Sequence, residues 1–404
     1  MCNTPRKVMT FNLMIEELEH SGQSSAKRSA DRSQEVVIYD KPGSKKIRVL
    51  IIMHGLFPGY VAPIPKEIAK NLFKLGIDIE VAAIGEGMSP SGEDFKFRII
   101  PIMERTLIEQ YRKLNCVIRE YDIVHYFPGK GFEFLPLFNR KVRFIYNFIS
   151  VSVSGRPFLD SLINALKKVQ PIFADLALYT DPELKANLEP CYIKTGVFPV
   201  GFASDLFYPC EPYKEQDKRI LIYHGSCHPS RRLEQMIKVM PLLEKRYELI
   251  IIGKASGDYI SSLKKLSKEL GCAERVSFAE MPQNEIRSVI ERAYLCFSYV
   301  PVIESYNDQF VLKTIEYLAC GRPVLSTNTR YTLKFQKEAG ERNILVCGDD
   351  IGEMAEAINS SDTFVNSFYD NFELHNLYNF LYKYSNESLV KEKLLPYYES
   401  ILNN

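Results

Sequence analysis

No apolar stretch of the 404-residue chain approaches the roughly 18 to 20 residues that span a bilayer, so any membrane contact read from the sequence is peripheral. Neither sign of charge is in excess. There are 51 Lys and Arg against 50 Asp and Glu, which leaves no overall basic field for a polyanion and argues against nucleic acid as a partner. There is no Cys-x-x-Cys pair either. The nine cysteines are scattered, several of them inside apolar runs, which is the usage of a reduced, cytoplasmic protein. The run Val8 to Ile15 is broken by Thr10 and Asn12 and followed by Glu16, Glu17 and Glu19, which fits neither a secretory nor an organelle-targeting peptide.

What is present is an ordinary globular composition: 46% hydrophobic and 25% charged residues, with 21 Gly and 22 Pro. At roughly 150 residues per domain, the length predicts two or three compact units. The charge is mildly skewed along the chain, with 27 basic and 22 acidic residues up to position 200 and 24 against 28 afterwards. That skew permits a first half that faces an anionic membrane or acceptor, and solvated surface charge explains it equally well.

Residues 1–44 combine a short amphipathic piece with a stretch rich in Ser, Lys and Arg, Ser21 to Arg32, and read as a flexible leader. The texture then changes. Ile47 to Met53 is a continuous apolar run, the pattern of a buried parallel strand. A helical pattern on Ile64, Ile68, Leu72 and Leu75 follows, closed by Gly76, and then a second strand, Ile77 to Ile84. Further strands are expected at Ile123–Phe127, Val142–Tyr146 and Phe173–Tyr179, with a helix at Pro182–Leu188. The polar connector Glu211 to Arg219 is the best boundary, and beyond it the alternation restarts. Strands are expected at Ile220–Tyr223, Tyr247–Ile252, Val276–Phe278, Leu295–Val300 and Pro323–Ser326. Helices at Leu233–Glu244, Tyr259–Leu270, Asn284–Arg292 and Phe310–Ala319 lie between them.

This alternation predicts two doubly wound parallel-sheet domains, at 45–210 and 211–375, with residues 376–404 as C-terminal helices. Ligands meet such sheets outside the carboxyl ends of the strands, and with two domains the cleft between them is the default site.

The most informative segment runs from Asn307 to Leu325. A helix start near Gln309 to Leu312 faces the strand ends, where free N–H groups and the helix dipole favour a phosphate, while Gly321 takes a left-handed cap before Pro323. Lys313 and Glu316 are three apart on one face, which puts a cation for a phosphate beside a carboxylate for a diol. Here the chain resembles the family 4 nucleotide-sugar glycosyltransferases, which have the GT-B architecture. Asp308-x7-Glu316 followed by Leu318-Ala-Cys-Gly-Arg-Pro-Val324 is similar to the family's Glu-x7-Glu before Ala-x-Gly-x-Pro-Val.

The resemblance implies that Glu316 holds the ribose hydroxyls, that Asp308 lies by the donor sugar, and that Val311, Leu312 and Lys313 meet the phosphates. Asp308 is one methylene shorter than the usual Glu. Tyr223-His-Gly225 and Ser226 to Arg232 resemble the family's Gly-Arg-Leu-x-x-x-Lys-Gly stretch, with Ser226 in place of the first cation and Arg231 on the Lys position, Arg232 being the alternative. Gly253 closes the next strand, whose loop in the family runs beside the nucleotide. Gly59, in the loop after the first strand, stands where the family has a glycine-rich turn.

Asp122-Ile-Val-His125 resembles a strand of the family and makes His125 a candidate for active-site work. The further His common in the family is absent from Ile145 to Ser150. His224 and His228, four apart, have no carboxylate or Cys at a zinc-like spacing, and no metal site is read. The resemblance implies a retaining transfer of a sugar from a nucleoside-diphosphate sugar to a glycan, lipid-linked or small-molecule acceptor. With cations neutralising the diphosphate, no divalent metal and no further cofactor is required. An epimerase or phosphorylase of the same architecture, and a non-catalytic sugar-nucleotide-binding or scaffold protein, are the competing readings. The location expected is cytoplasmic, with peripheral contact at the inner face of a membrane through the first domain.

Overall fold

The computed structural model describes residues 46–54, 63–85, 96–128, 132–149, 157–190, 192–254, 258–370 and 374–403. The expected leader, and Gly59 with its loop, lie outside these residues. Two parallel sheets dominate. The first holds β1 (Arg48–His54), β2 (Asp78–Ile84), β3 (Arg98–Ile102), β4 (Ile123–Tyr126), β5 (Arg143–Phe148), β6 (Leu176–Tyr179) and β7 (Lys194–Val197) in the order β3-β2-β1-β4-β5-β6-β7. The second holds β8 (Arg219–His224), β9 (Tyr247–Ile252), β10 (Val276–Ala279), β11 (Leu295–Ser298), β12 (Val324–Thr327) and β13 (Ile344–Cys347) in the order β10-β9-β8-β11-β12-β13. Counted from its own first strand, the second sheet runs 3-2-1-4-5-6, and the first runs the same way with a seventh strand added at its edge. This is the doubly wound order, and it reverses beside the first strand.

The central strands are apolar over most of their length because helices cover both faces. Val49 to Met53 of β1 and Ile220 to Tyr223 of β8 are all buried. The helix Pro63–Lys74 follows β1, and Leu312–Ala319 joins β11 to β12. Gly321 takes the left-handed conformation expected at the end of that second helix, with φ +68°. Its amide bonds back to the Leu318 carbonyl at 2.9 Å.

Two expected elements are shorter than the pattern suggests. The helix expected over Leu233–Glu244 is α-helical only over Glu234–Val239 and tightens to a 3₁₀ turn at Met240–Leu242, since Pro241 has no N–H to continue the ladder. The strand expected from Phe173 begins at Leu176, because Pro171 sits inside a 3₁₀ turn, Gln170–Phe173. Strands β3, β7 and β13 have no counterpart in the sequence reading. All three are short sheet edges, and the first two carry Pro101 and Gly196 respectively.

After β13 the chain continues through helices Ile351–Asn359, Asp362–Asp370 and Leu374–Tyr382 and ends in a helical run from Asn386 to Leu402. That last run packs on the first sheet. The Val197 amide donates to the Tyr397 hydroxyl at 3.2 Å, and the Tyr398 hydroxyl meets His125 Nδ1 at 2.8 Å. Lys70 of the helix after β1 also pairs with Asp205, in the segment leading to the second sheet, at 2.6 Å. No helix among the described residues is long and apolar enough to cross a membrane.

Candidate functional site

The second sheet reverses between β8 and β11, and the loops leaving those two strands carry the charged groups. β8 ends at His224. Gly225 follows with φ +142°, then a 3₁₀ turn, Pro229–Arg231, and Arg232 in the left-handed region. The neighbouring loop after β9 begins at Gly253, where a Cβ would stand 1.8 Å from the Gly225 carbonyl oxygen. The two loops thus touch backbone to backbone, and only glycine fits at position 253. β11 delivers Tyr299 and Val300, a single helical turn, Glu304–Asn307, and then the helix Leu312–Ala319.

Lys313 is held at this junction. Its Nζ donates to the Tyr299 carbonyl at 2.6 Å and sits 4.0 Å from the centroid of the Tyr223 ring, a cation–π contact across the reversal point. The residue as a whole is only half-buried, but its ammonium end is enclosed. Burial first, and the Arg231 charge second, push its pKa well below the usual lysine range, while Cys227 and Glu316 oppose the shift. Arg231 reaches the same place from β8. Its guanidinium lies 4.8 Å from the Tyr306 ring centroid and donates to Gln309 Oε1 at 3.3 Å.

Glu316 is 3% exposed, one turn along the same helix. Its Oε2 is 3.1 Å from His224 Nε2, off the hydrogen-bond direction, and that buried nitrogen has no other partner among the described residues. Arg231 and Glu316 therefore both lie close enough to Lys313 for their charges to act on its ammonium. Val311 occupies the N-cap and provides no side-chain cap, so the first N–H groups of the helix, beginning at Leu312, are left for another acceptor.

Two candidates have surroundings the sequence did not foretell. Asp308 is grasped by Arg330, whose Nε donates to its two carboxylate oxygens at 2.8 and 3.1 Å, and Arg330 also pairs with Glu304 at 2.8 Å. Arg330 holds the Asp308 carboxyl below its ordinary range. Glu183, which follows β6 of the first sheet, is close enough for the Asp308 charge to help raise its pKa, after desolvation. The strand-end loops of the two sheets meet at this pair.

His125 needs a correction. The side chain is fully buried on β4, with Nδ1 against Tyr398 Oη at 2.8 Å, Nε2 against Asn147 Oδ1 at 3.1 Å, and the ring stacked on Phe127. Burial pushes its pKa down to about 4. With both nitrogens engaged and no solvent-facing edge, it ties β4 and β5 to the last helix and is not placed to move a proton for a substrate. His224 and His228 do not converge on a common point: the first faces Glu316, and the second bonds Ser230 through Nδ1 at 2.8 Å. The sequence reading missed Tyr223, Tyr299, Tyr306, Gln309 and Arg330 as members of this cluster. Tyr223 and Tyr299 stand at strand ends, where a tyrosine reads equally well as core, and the other three lie in a single helical turn, in a loop and at a helix start, with no local signal.

Comparison with known proteins agrees with the fold. The structure of Anabaena HepE in complex with UDP and glucose superposes with a TM-score of 0.68 at 13% identity, over 87% of this chain and 100% of that one. A glycosyltransferase from Rickettsia africae superposes with a TM-score of 0.66 at 15% identity, over 89% and 100%. The fold is GT-B. Within it, residues 211–361, the second sheet and its loops, match the family described as Glycosyl transferases group 1. A D-inositol 3-phosphate glycosyltransferase of Mycobacterium marinum is 30% identical over 145 residues, which is 35% of this chain and 30% of that relative. The GT-B chain thus shares less than a third of that relative's length by sequence.

Proposed function

We propose that the protein is a family 4-like glycosyltransferase that moves a hexosyl group, with retention, from a nucleoside-diphosphate sugar to an acceptor hydroxyl. The observation that carries this reading is the closeness of Arg231 and Glu316 to Lys313 at the reversal point of the second sheet, beside an uncapped helix start. Bond breaking leaves a diphosphate dianion while the anomeric carbon gains oxocarbenium character. Cations fixed on the leaving oxygens lower that barrier most. Lys313 and Arg231 are those cations, with the amides at Leu312 and Lys313 behind them. Gly225 and Gly253 allow backbone to approach the phosphates, and Glu316 accepts from the ribose hydroxyls.

The two cations neutralise the leaving group, so neither a divalent metal nor a further cofactor is part of this reading. UDP bound to HepE supports a uridine donor. The first half receives the acceptor, a glycan under construction or a lipid-linked sugar, and the reaction belongs in the cytoplasm. Asp308 lies by the donor sugar once Arg330 yields part of its hold.

A thermal-shift series with UDP, GDP and ADP, each free and as its glucose ester, tests the donor site, because a bound donor raises apparent stability by mass action. UDP is expected to shift the wild type and to shift Arg231→Ala little. Transfer by Arg231→Ala should fall about 100-fold or more, as when one charge-stabilising donor is lost. No shift with any nucleotide rejects the donor site. A shift without nucleotide release across acceptors favours a non-catalytic binding protein, conversion of the donor to its epimer without net nucleotide release favours an epimerase, and release without an acceptor means transfer of the sugar to water.

A further inference from the structure

The first half presents an apolar face that nothing in the described chain covers. The helix Pro157–Val169 carries Phe158, Leu162, Leu166 and Val169 at spacings of one helical face, and these are 85, 49, 55 and 53% exposed. None of its described side chains is buried. The apolar surface continues past the helix, where the Phe173 ring meets that of Phe134, itself 56% exposed, with centroids 6.2 Å apart. A contiguous apolar patch on a soluble protein marks a place where something docks, because such patches rarely exceed a few hundred Å².

Charge selects the occupant. Residues 134–173 contain six basic residues and one acidic, Asp160. Arg143 is taken by Asp175 at 2.9 Å, but Lys168 stands exposed at the end of the helix, and the exposed Arg140 and Lys141 follow the turn that bears Phe134. A second copy of the chain brought to this face by a two-fold axis would set these cations against themselves. An anionic lipid surface offers an apolar interior to the aromatic and aliphatic side chains and negative headgroups to the lysines.

We propose that this face, from Phe134 through the helix Pro157–Val169, seats the protein on an anionic bilayer. The helix enters from the carboxyl-end side of β5, so the seated face borders the side of the first sheet where ligands meet this architecture. The proposal does not depend on sugar transfer, because vesicle binding is measured without a donor.

The experiment is co-sedimentation of the full chain with mixed phosphatidylcholine–phosphatidylglycerol vesicles and with pure phosphatidylcholine vesicles. Wild type is expected to partition about tenfold or more in favour of the anionic vesicles and to be released by high salt. Leu162→Ser/Leu166→Ser and Lys141→Glu/Lys168→Glu should each cut that partition about tenfold or more while melting like wild type, since the altered side chains are exposed. Failure of the wild type to bind anionic vesicles overturns the proposal, as does equal binding by both variants. A wild-type dimer that Leu162→Ser/Leu166→Ser turns into a monomer, with no vesicle binding by either, assigns the face to self-association and overturns it too.

Discussion

The Lys313 ammonium lies 4.0 Å from the centre of the Tyr223 ring, so an apolar strand end of β8 enfolds the cation of the helix after β11. This placement costs stability in the absence of an anion. Burial and Arg231 depress the Lys313 pKa, so the unfolded chain binds more protons than the folded one between the two pKa values, and stability rises with pH there. The cost is full below the folded pKa and gone above the unfolded value of about 10.4. Lys313→Met is therefore expected to melt higher than ligand-free wild type at neutral pH, with the gain shrinking as pH climbs toward the unfolded value. The same variant should lose about 100-fold in transfer. Calorimetry across pH and a turnover assay check both halves, and a variant that is neither more stable nor less active rejects the assignment.

Gly253→Ala tests the backbone contact between the β8 and β9 loops. The added methyl would meet the Gly225 carbonyl at 1.8 Å, and a carbonyl in a buried loop cannot step aside as a side chain can. A loss of about 3 kcal/mol, read from the urea midpoint at unchanged slope, is expected together with weaker nucleotide binding. An unshifted midpoint would mean that the loops are free to part.

His125 predicts acid lability. Its folded pKa of about 4 lies below the unfolded value of about 6.5, so the folded chain resists the proton that the unfolded chain accepts. The stability it contributes is intact above about pH 6.5 and is lost as pH falls toward 4, amounting to about 3 kcal/mol across that window. His125→Gln should melt lower at neutral pH, show a flatter decline between those pH values, and keep kcat within about threefold. A kcat loss of about 100-fold with unchanged melting would return His125 to the active site.

The alternation of apolar runs and helical periods made both sheets legible, because a strand buried on two faces is apolar over most of its length. The edges β3, β7 and β13 were not legible: each is a run of only four or five residues, and Pro101 or Gly196 makes the first two look like loops. In the site, Lys313 and Glu316 could be paired because they stand three apart on one helix, while Arg231 was reached through the resemblance of Ser226 to Arg232 to a family stretch. The partners were hidden for a physical reason. Arg330 reaches Asp308 from 22 residues away, and Tyr398 reaches His125 from 273 residues away. No local period encodes contacts of that kind.

Asp308 has two possible tasks, and Arg330 separates them. If its carboxylate serves only to hold Arg330, Asp308→Asn should loosen a solvent-screened ion pair and change turnover little. The donor-sugar role predicts instead that Asp308→Asn leaves the thermal shift by free UDP intact and lowers turnover of the sugar nucleotide about tenfold or more, roughly 1.4 kcal/mol at the transition state. Turnover within twofold of wild type confines Asp308 to the ion pair.

Glu316 is the sharpest test of nucleotide recognition, because its carboxylate is 3% exposed, lies near Lys313 and stands beside a histidine that is out of line for a hydrogen bond. Ribose hydroxyls are donors of the right kind, and hydrogen bonds to a charged acceptor contribute about 1.5–3 kcal/mol. Glu316→Gln keeps the shape, removes the charge and replaces one acceptor by a donor. It should raise the KM for the sugar nucleotide about tenfold or more while moving kcat less. Deoxygenated donors add a second reading that a merely structural role would not move. Wild type should reject a donor lacking a ribose hydroxyl by about tenfold or more, and Glu316→Gln should discriminate much less, since its site no longer strands a buried charge. Equal discrimination by both proteins would place the ribose elsewhere and leave Glu316 as the partner of His224 alone.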